Sequence, residues 1–131
     1  MIYLFDTDWF IDYLGDRAPV TRQFDEIDAS TFSLSVVSLG ELLDGVNGSR
    51  DPVGDRYGLD QALRLVTLLD IDPPIAEIFG ELRSLLRRTG KPIADLDLLI
   101  AATALRHDLT IVTRNRRHFE RIPDLRLHEF A

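Results

Sequence analysis

Cysteine is absent from the 131 residues, which removes disulfides, thiolate metal sites and cysteine nucleophiles together. No apolar run is longer than five residues, as in Leu98-Leu99-Ile100-Ala101-Ala102, far short of the ~20 that a membrane helix needs. The start, Met1-Ile2-Tyr3-Leu4-Phe5-Asp6, carries no basic segment and meets acid at Asp6 and Asp8, so it does not read as a targeting signal. A soluble, cytoplasmic protein with no membrane partner is expected. Lysine occurs once, at Lys91, and histidine three times. His107, His118 and His128 have no metal-motif spacing and read as surface or terminus residues. Asn47-Gly48-Ser49 matches a glycosylation sequon but, with no secretory signal, reads as a turn.

Hydrophobic residues make up 45% of the chain and charged residues 28%, an ordinary globular composition. The length suits one domain, residues 1–131. Acidic residues outnumber basic ones 22 to 15, for a net charge of −7, which as an average disfavours nucleic acid. The average hides two unlike parts. Residues 1–82 hold 5 basic and 16 acidic residues, whereas residues 83–131 hold 10 basic and 6 acidic. Arg83, Arg87, Arg88 and Lys91 gather at one helix end, and Arg114, Arg116, Arg117 and Arg121 lie farther on. They are candidates for holding an RNA backbone, or else simply solvated.

Strands and helices are expected to alternate. Ile2 to Phe5 reads as a buried strand, and Asp8 to Leu14 as a helix with Trp9, Phe10, Tyr13 and Leu14 on one face. Pro19 fits the first turn of a second helix running to about Ala29. Thr31 to Val36 is β-rich, and Ser38 is placed to cap a helix with Leu39, Leu42, Leu43 and Val46 as its stripe. Gly45 to Gly58 reads as a loop, Leu59 to Leu65 as helix and Val66 to Ile71 as strand. Pro73-Pro74 open a helix that Gly90 ends, and Asp95 opens a very apolar helix through Leu105. Leu109 to Val112 is a strand, Arg116 to Arg121 a short helix and Leu125 to Leu127 a last strand. Such alternation implies an α/β domain with a mainly parallel sheet.

Three acids stand where such a sheet binds ligands. Asp6 follows the first strand, and Thr113-Arg114-Asn115 follows the strand ending at Val112; if those strands are neighbours, both loops open into one cleft. Asp6 also suits a plain helix N-cap. Asp95 and Asp97, about 200° apart around a helix, divide into an N-cap and a group reaching the cleft. Glu41 reads either as a site acid or as the partner of Ser38 in a capping box. Two carboxylates 4 Å apart repel by roughly 4 kcal/mol at an effective dielectric near 20. They must therefore protonate, pair with bases or take a cation, and hard oxygen donors suit Mg2+ or Mn2+.

The segments Tyr3-Leu4-Phe5-Asp6-Thr7-Asp8, Ser38-Leu39-Gly40-Glu41-Leu42, Pro92 to Ala102 and Leu109 to Asn115, in this order, resemble the PIN-domain ribonucleases. The likeness is to VapC-type toxins of type II toxin–antitoxin systems. It implies a three-layer α/β/α sandwich that hydrolyses RNA with Mg2+ or Mn2+, with Asp6 and Asp97 as metal ligands. Glu41 and Asn115 join them as catalytic residues, with Thr7, Asp95 and Thr113 in support. Where relatives often carry a fourth acid, this chain offers Thr113, Asn115 and then His118. The resemblance also implies a VapB-like antitoxin, with Trp9, Phe10, Tyr13 and the leucines between Leu39 and Leu65 as anchors or as core, and a homodimer.

Two other readings compete. Asp6-Thr7-Asp8 is similar to the signature of haloacid-dehalogenase-like phosphatases, but these expect Thr or Val where Phe10 stands, and a later catalytic Lys. A PIN-like module that binds RNA or a partner without cleaving is the other, and intact Asp6, Glu41 and Asp97 count against it.

Overall fold

The computed structural model describes residues 1–14 and 31–129. The chain runs β1 (Tyr3–Phe5), α1 (Thr7–Leu14), β2 (Phe32–Ser35), α2 (Val36–Asn47), α3 (Pro52–Leu63) and β3 (Thr67–Leu69), then α4 (Pro73–Arg88), α5 (Asp95–His107), β4 (Thr110–Val112), α6 (Arg116–Phe119) and β5 (Arg126–Leu127). The helix expected after Pro19 lies outside the described residues. All strand pairs are parallel, in the order β3-β2-β1-β4-β5. From β1 the chain first builds outward through β2 and β3, then returns to the other side with β4. The order therefore reverses between β1 and β4, where Phe5 stands opposite Val112. The crevice at the carboxyl ends of these two strands is the expected ligand position in an open parallel sheet.

The period-2 alternation of strand side chains divides the apolar residues between two layers. Leu4 and Ile111 face α4, α5 and α6, packing with Leu82, Leu86, Leu98, Ile100 and Phe119. Phe5, Phe32, Leu34 and Val112 face α1, α2 and α3, with Trp9, Phe10, Leu42 and Leu59. Helices on both faces of a parallel sheet make the expected three-layer α/β/α arrangement. Phe5 lies at the centre of the second layer, its ring 4.9 Å from Phe32 and 5.8 Å from Trp9 between centroids. Trp9 and Phe10 are thus core residues rather than partner anchors; the side chain of Tyr13 lies outside the described set.

Local chemistry sets the helix ends. Asp72 accepts the N–H of Ile75 ahead of the Pro73-Pro74 start of α4. At its other end Gly90 has φ +72°. There the N–H of Lys91 reaches the carbonyl of Leu86 and that of Gly90 reaches Arg87, the paired bonds of a Schellman motif. Asp108 closes α5 in the same left-handed conformation, and Arg126 grips both its carboxylate and its carbonyl.

Three expectations are corrected. The stretch from Gly45 to Gly58 is mostly helix: α2 continues to Asn47, and α3 begins at Pro52, capped by Asp51 through the Gly54 N–H. Its glycines suggested a loop, but a single Gly costs a helix only about 1 kcal/mol, which tertiary packing outweighs. Ser35, not Ser38, caps α2, accepting the N–H of Val37 at 3.0 Å. Ser38 lies one turn in, fully buried. Finally, Ala94 rather than Asp95 occupies the N-cap position of α5 and makes no side-chain cap.

Helix α5 carries the central burial, with Ile100, Ala101, Ala102 and Ala104 wholly inaccessible. Truncating Ile100 to Ala should cost about 2–5 kcal/mol, measured by urea unfolding. A loss below 1 kcal/mol would show that α5 is not the element holding the sheet.

Candidate active site at the β1–β4 crevice

Asp6 leaves β1 at the N-cap position of α1, its carbonyl accepting from Phe10 N–H at 3.1 Å. Cap and site acid are therefore one residue. The residue is only 6% exposed, and its carboxylate is held by two donors. Oδ1 accepts the Thr7 N–H at 2.8 Å, and Oδ2 accepts the Thr113 hydroxyl at 2.7 Å. Thr113, itself buried just beyond β4, in turn accepts the Asn115 N–H at 2.9 Å. A hydroxyl has one proton to give, and here it goes to Asp6.

The second link runs through Thr7. Its Oγ1 lies 2.7 Å from Glu41 Oε1 and 2.9 Å from Ser38 Oγ. With a single proton, Thr7 donates to the carboxylate and accepts from Ser38. Glu41 is therefore oriented by Thr7, and Ser38 supports Thr7 instead of joining Glu41 in a capping box. Ser-x-x-Glu is shared by both arrangements, so spacing alone could not separate them.

Asp97 sits three residues into α5, half-buried, with Oδ2 3.4 Å from His118 Nδ1. His118 Nδ1 is also 2.7 Å from Asn115 Nδ2. Asn115 precedes α6 but does not cap it through its side chain; the amide turns to His118 instead. His118, expected at the surface, thus belongs to the site. Its position three residues after Asn115, on a helix starting directly beyond β4, was the available signal.

Burial raises the Asp6 carboxyl above its ordinary value of 3.8. The hydrogen bonds from Thr113 and Thr7 oppose this, and the nearby charges of Asp97 and Asp8 add to it. The site therefore holds negative charge it does not itself neutralise, and all the donors around Asp6 and Asp97 are hard or borderline. Among the described residues, no three His, Asp or Glu side chains converge closely enough to cage an ion. Two carboxylates completed by water and phosphate are nevertheless the usual provision for Mg2+, so the residues present fit such an ion and not an all-protein cage.

The other expected residues separate. Asp95 is exposed and receives Arg83 Nε at 2.9 Å, pointing away from the cleft as its helix angle required. Arg116 is tied to the His128 carbonyl, Glu120 and Glu129, bracing the carboxy-terminal segment, and Arg121 donates to the Pro92 carbonyl ahead of α5. Arg87, Arg88, Lys91, Arg114 and Arg117 are exposed. Lys91 lies beyond the carboxyl end of α4, in a turn fixed by helix capping, so the lysine that a phosphatase reading needs has no counterpart at Asp6.

Residues 3–125 match the model of the PIN domain. The chain belongs to the PIN-domain family. Ribonuclease VapC2 of Rickettsia felis is 32% identical, over 99% of this chain and 98% of that protein. The tRNA(fMet)-specific endonuclease VapC of Shigella flexneri is 29% identical, over 98% of each. Among solved structures, VapBC2 from Rickettsia felis bound to a DNA fragment from its promoter superposes with a TM-score of 0.91 at 29% identity, covering 100% of both chains. VapBC-1 from nontypeable Haemophilus influenzae superposes at 0.84 and 28%, covering 98% of each. The PIN-domain likeness thus extends over essentially the whole chain, and within the family it falls among the VapC proteins.

The raised Asp6 pKa fixes the sign of a stability effect. The folded protein holds this proton more tightly than the unfolded chain. The associated stability is full below pH about 3.8 and is lost as pH rises through the folded value. In chelator at pH 7.5, Asp6→Asn, with no charge to desolvate, should therefore melt above the wild type, the gap closing towards pH 4. An equal or lower melting temperature at pH 7.5 would contradict the assignment.

Proposed function

We propose that this chain is the ribonuclease toxin of a VapBC-type toxin–antitoxin pair, hydrolysing RNA phosphodiester bonds with the help of Mg2+ or Mn2+. The observation that carries this reading is the Asp6 carboxylate, buried between the Thr7 N–H and the Thr113 hydroxyl with the charge of Asp97 close by. Such a site is under electrostatic load that a cation relieves. Asp6 and Asp97 would hold that ion. When bound, it supplies Lewis-acid stabilisation of charge developing on the phosphate and makes water a better nucleophile at neutral pH.

The chain's own groups do the remaining work. Glu41 accepts the proton of the attacking water, its carboxylate held for that task by the Thr7 hydroxyl. Thr113 keeps Asp6 in place across the β1–β4 junction, and Asn115 presents an amide at the same cleft. Attack at phosphorus with departure of the 3′ oxygen leaves 5′-phosphate and 3′-hydroxyl ends. Exposed Arg87, Arg88, Lys91, Arg114 and Arg117 supply positive charge for the RNA backbone. Mg2+-dependent cleavage by Asp6→Asn and by Asp97→Asn should fall at least 100-fold, read on an RNA gel. Wild-type rates in both would overturn the site.

The antitoxin reading has its own surface. A groove of about 470 Å³ runs beside Glu41, lined by Ile11, Leu42, Val46 and Leu59, with Glu41 and Asp55 at its edge. It lies next to the cleft rather than in it. Its apolar floor and acidic rim, within the acidic part of the sequence, suit an apolar helix carrying basic residues. Several of the solved relatives are toxin–antitoxin complexes. Gly58 lines this groove, and a Cβ placed there meets nothing within 4 Å. Gly58→Leu should therefore fold, retain cleavage and bind the co-expressed antitoxin at least tenfold more weakly by calorimetry. Unchanged affinity would move the antitoxin elsewhere.

A further inference from the structure

Ser38 is a buried polar residue to which the cleavage chemistry has so far given no part. It is the third residue of α2 and wholly inaccessible. A serine inside a helix commonly faces water or bonds to the carbonyl four residues back; Ser38 does neither. Its hydroxyl has Thr7 Oγ1 at 2.9 Å and, among the described residues, no other polar partner. A buried hydroxyl is costly unless it makes its bond, so Ser38 is committed to Thr7. The direction follows from counting protons. Thr7 Oγ1 has one, and it lies 2.7 Å from Glu41 Oε1, an ionised carboxylate that only accepts. The Thr7 proton therefore goes to Glu41 and the Ser38 proton to Thr7.

The result is a one-way chain from Ser38 through Thr7 to Glu41. Ser38 and Glu41 are three apart on α2 and share a face, so the Thr7 hydroxyl of α1 docks between them. Threonine has more than one side-chain rotamer open to it, and the donated Ser38 proton holds the one that presents Oγ1 to Glu41. The same bond polarises the Thr7 hydroxyl and strengthens it as a donor. We propose that Ser38 is a positioning residue for cleavage: its hydroxyl fixes the Thr7 side chain, and through it the Glu41 carboxylate that takes a proton from water. This rests on the nuclease reading above and adds a residue that touches neither substrate nor ion. What Ser38 sets is how often the carboxylate stands in its productive orientation. Its loss should slow turnover and leave RNA binding unchanged.

The test uses the full chain, Mg2+ and a labelled RNA that the wild type cleaves, with circular dichroism and melting temperature confirming that each variant is folded. Ser38→Ala should cut the single-turnover rate about tenfold, the order of one oriented hydrogen bond. Its RNA affinity, by fluorescence anisotropy in chelator, should equal that of the wild type. Ser38→Cys, nearly the same shape but a weak donor, should fall between the two, and it takes the place of Ser38→Ala if that variant does not fold. Thr7→Val should be slower still, and adding Ser38→Ala to it should cost nothing more, because Ser38 acts only through the Thr7 hydroxyl. Carbon NMR of the metal-free protein should show the Glu41 carboxyl resonance displaced in Ser38→Ala. Four outcomes each overturn the proposal: a wild-type rate in folded Ser38→Ala, a slower rate accounted for by weaker RNA binding, an equal further loss on the Thr7→Val background, or an unmoved Glu41 resonance. If Glu41→Gln loses cleavage while the Ser38 variants keep it, this inference fails and Glu41 stands. If Glu41→Gln itself cleaves at the wild-type rate, the reading of Glu41 beneath it fails as well.

Discussion

The hydrogen bond from the Thr113 hydroxyl to Asp6 Oδ2 ties together the two halves of this fold. It joins the ends of β1 and β4, segments 107 residues apart in the chain, at the point where strand order reverses. Around it a carboxylate is kept in a place where burial opposes its charge. That cost is tolerated because the sheet leaves little choice. Phe5 and Val112 are wholly buried and in register, so the residues that follow must emerge side by side. A parallel sheet with apolar strands on both faces thus positions a polar pair that neither strand could position alone.

The rest of the site is layered onto that junction. Thr7, the first residue of α1, reaches to Glu41 on α2, and Asp97 on α5 comes from the opposite layer. Three helices from two faces contribute one acid-bearing turn each, and their convergence depends on the depth to which they pack. The run of alanines in α5 matters here. Ala101, Ala102 and Ala104 are inaccessible and small enough to allow close approach to the sheet, which brings the first turn of the helix, with Asp97, to the crevice edge. Packing energy in the core is in this sense converted into electrostatic strain at the rim.

Charge is divided by the same architecture. The acid-rich part of the sequence supplies α1, α2 and α3 and the groove beside Glu41, whereas the basic part begins near the carboxyl end of α4 and runs through α5 to β5. Not all of that basic charge is available. Arg116 is spent on a carbonyl and carboxylates of the carboxy-terminal segment, Arg121 on the Pro92 carbonyl ahead of α5, and Arg83 is paired with Asp95. Composition counts these residues as one patch, but their side chains serve different purposes. Structural bracing accounts for some, and only the exposed remainder can meet a phosphate backbone.

Much of the protein was determined by local pattern alone. Alternating apolar runs and helix stripes specified the α/β class, and paired prolines and Gly90 marked both ends of α4. Asp6, Glu41 and Asp97 stood out because each followed or opened an apolar element. Local pattern failed where two arrangements share one spacing. Glu41 read either as a site acid or as the partner of Ser38 in a capping box, and the long-range contact with Thr7 decided between them. The glycines from Gly45 to Gly58 read as a loop because propensity records a small local cost, while burial of Leu42 and Leu59 supplies a larger, non-local gain. His118 was legible as a residue but not as a neighbour of Asp97, 21 positions earlier. Sequence determines which groups are available and which element each rides on. Only tertiary packing decides which of them share a cleft, because distances of 3 Å between side chains are set by how layers close upon one another, not by spacing along the chain.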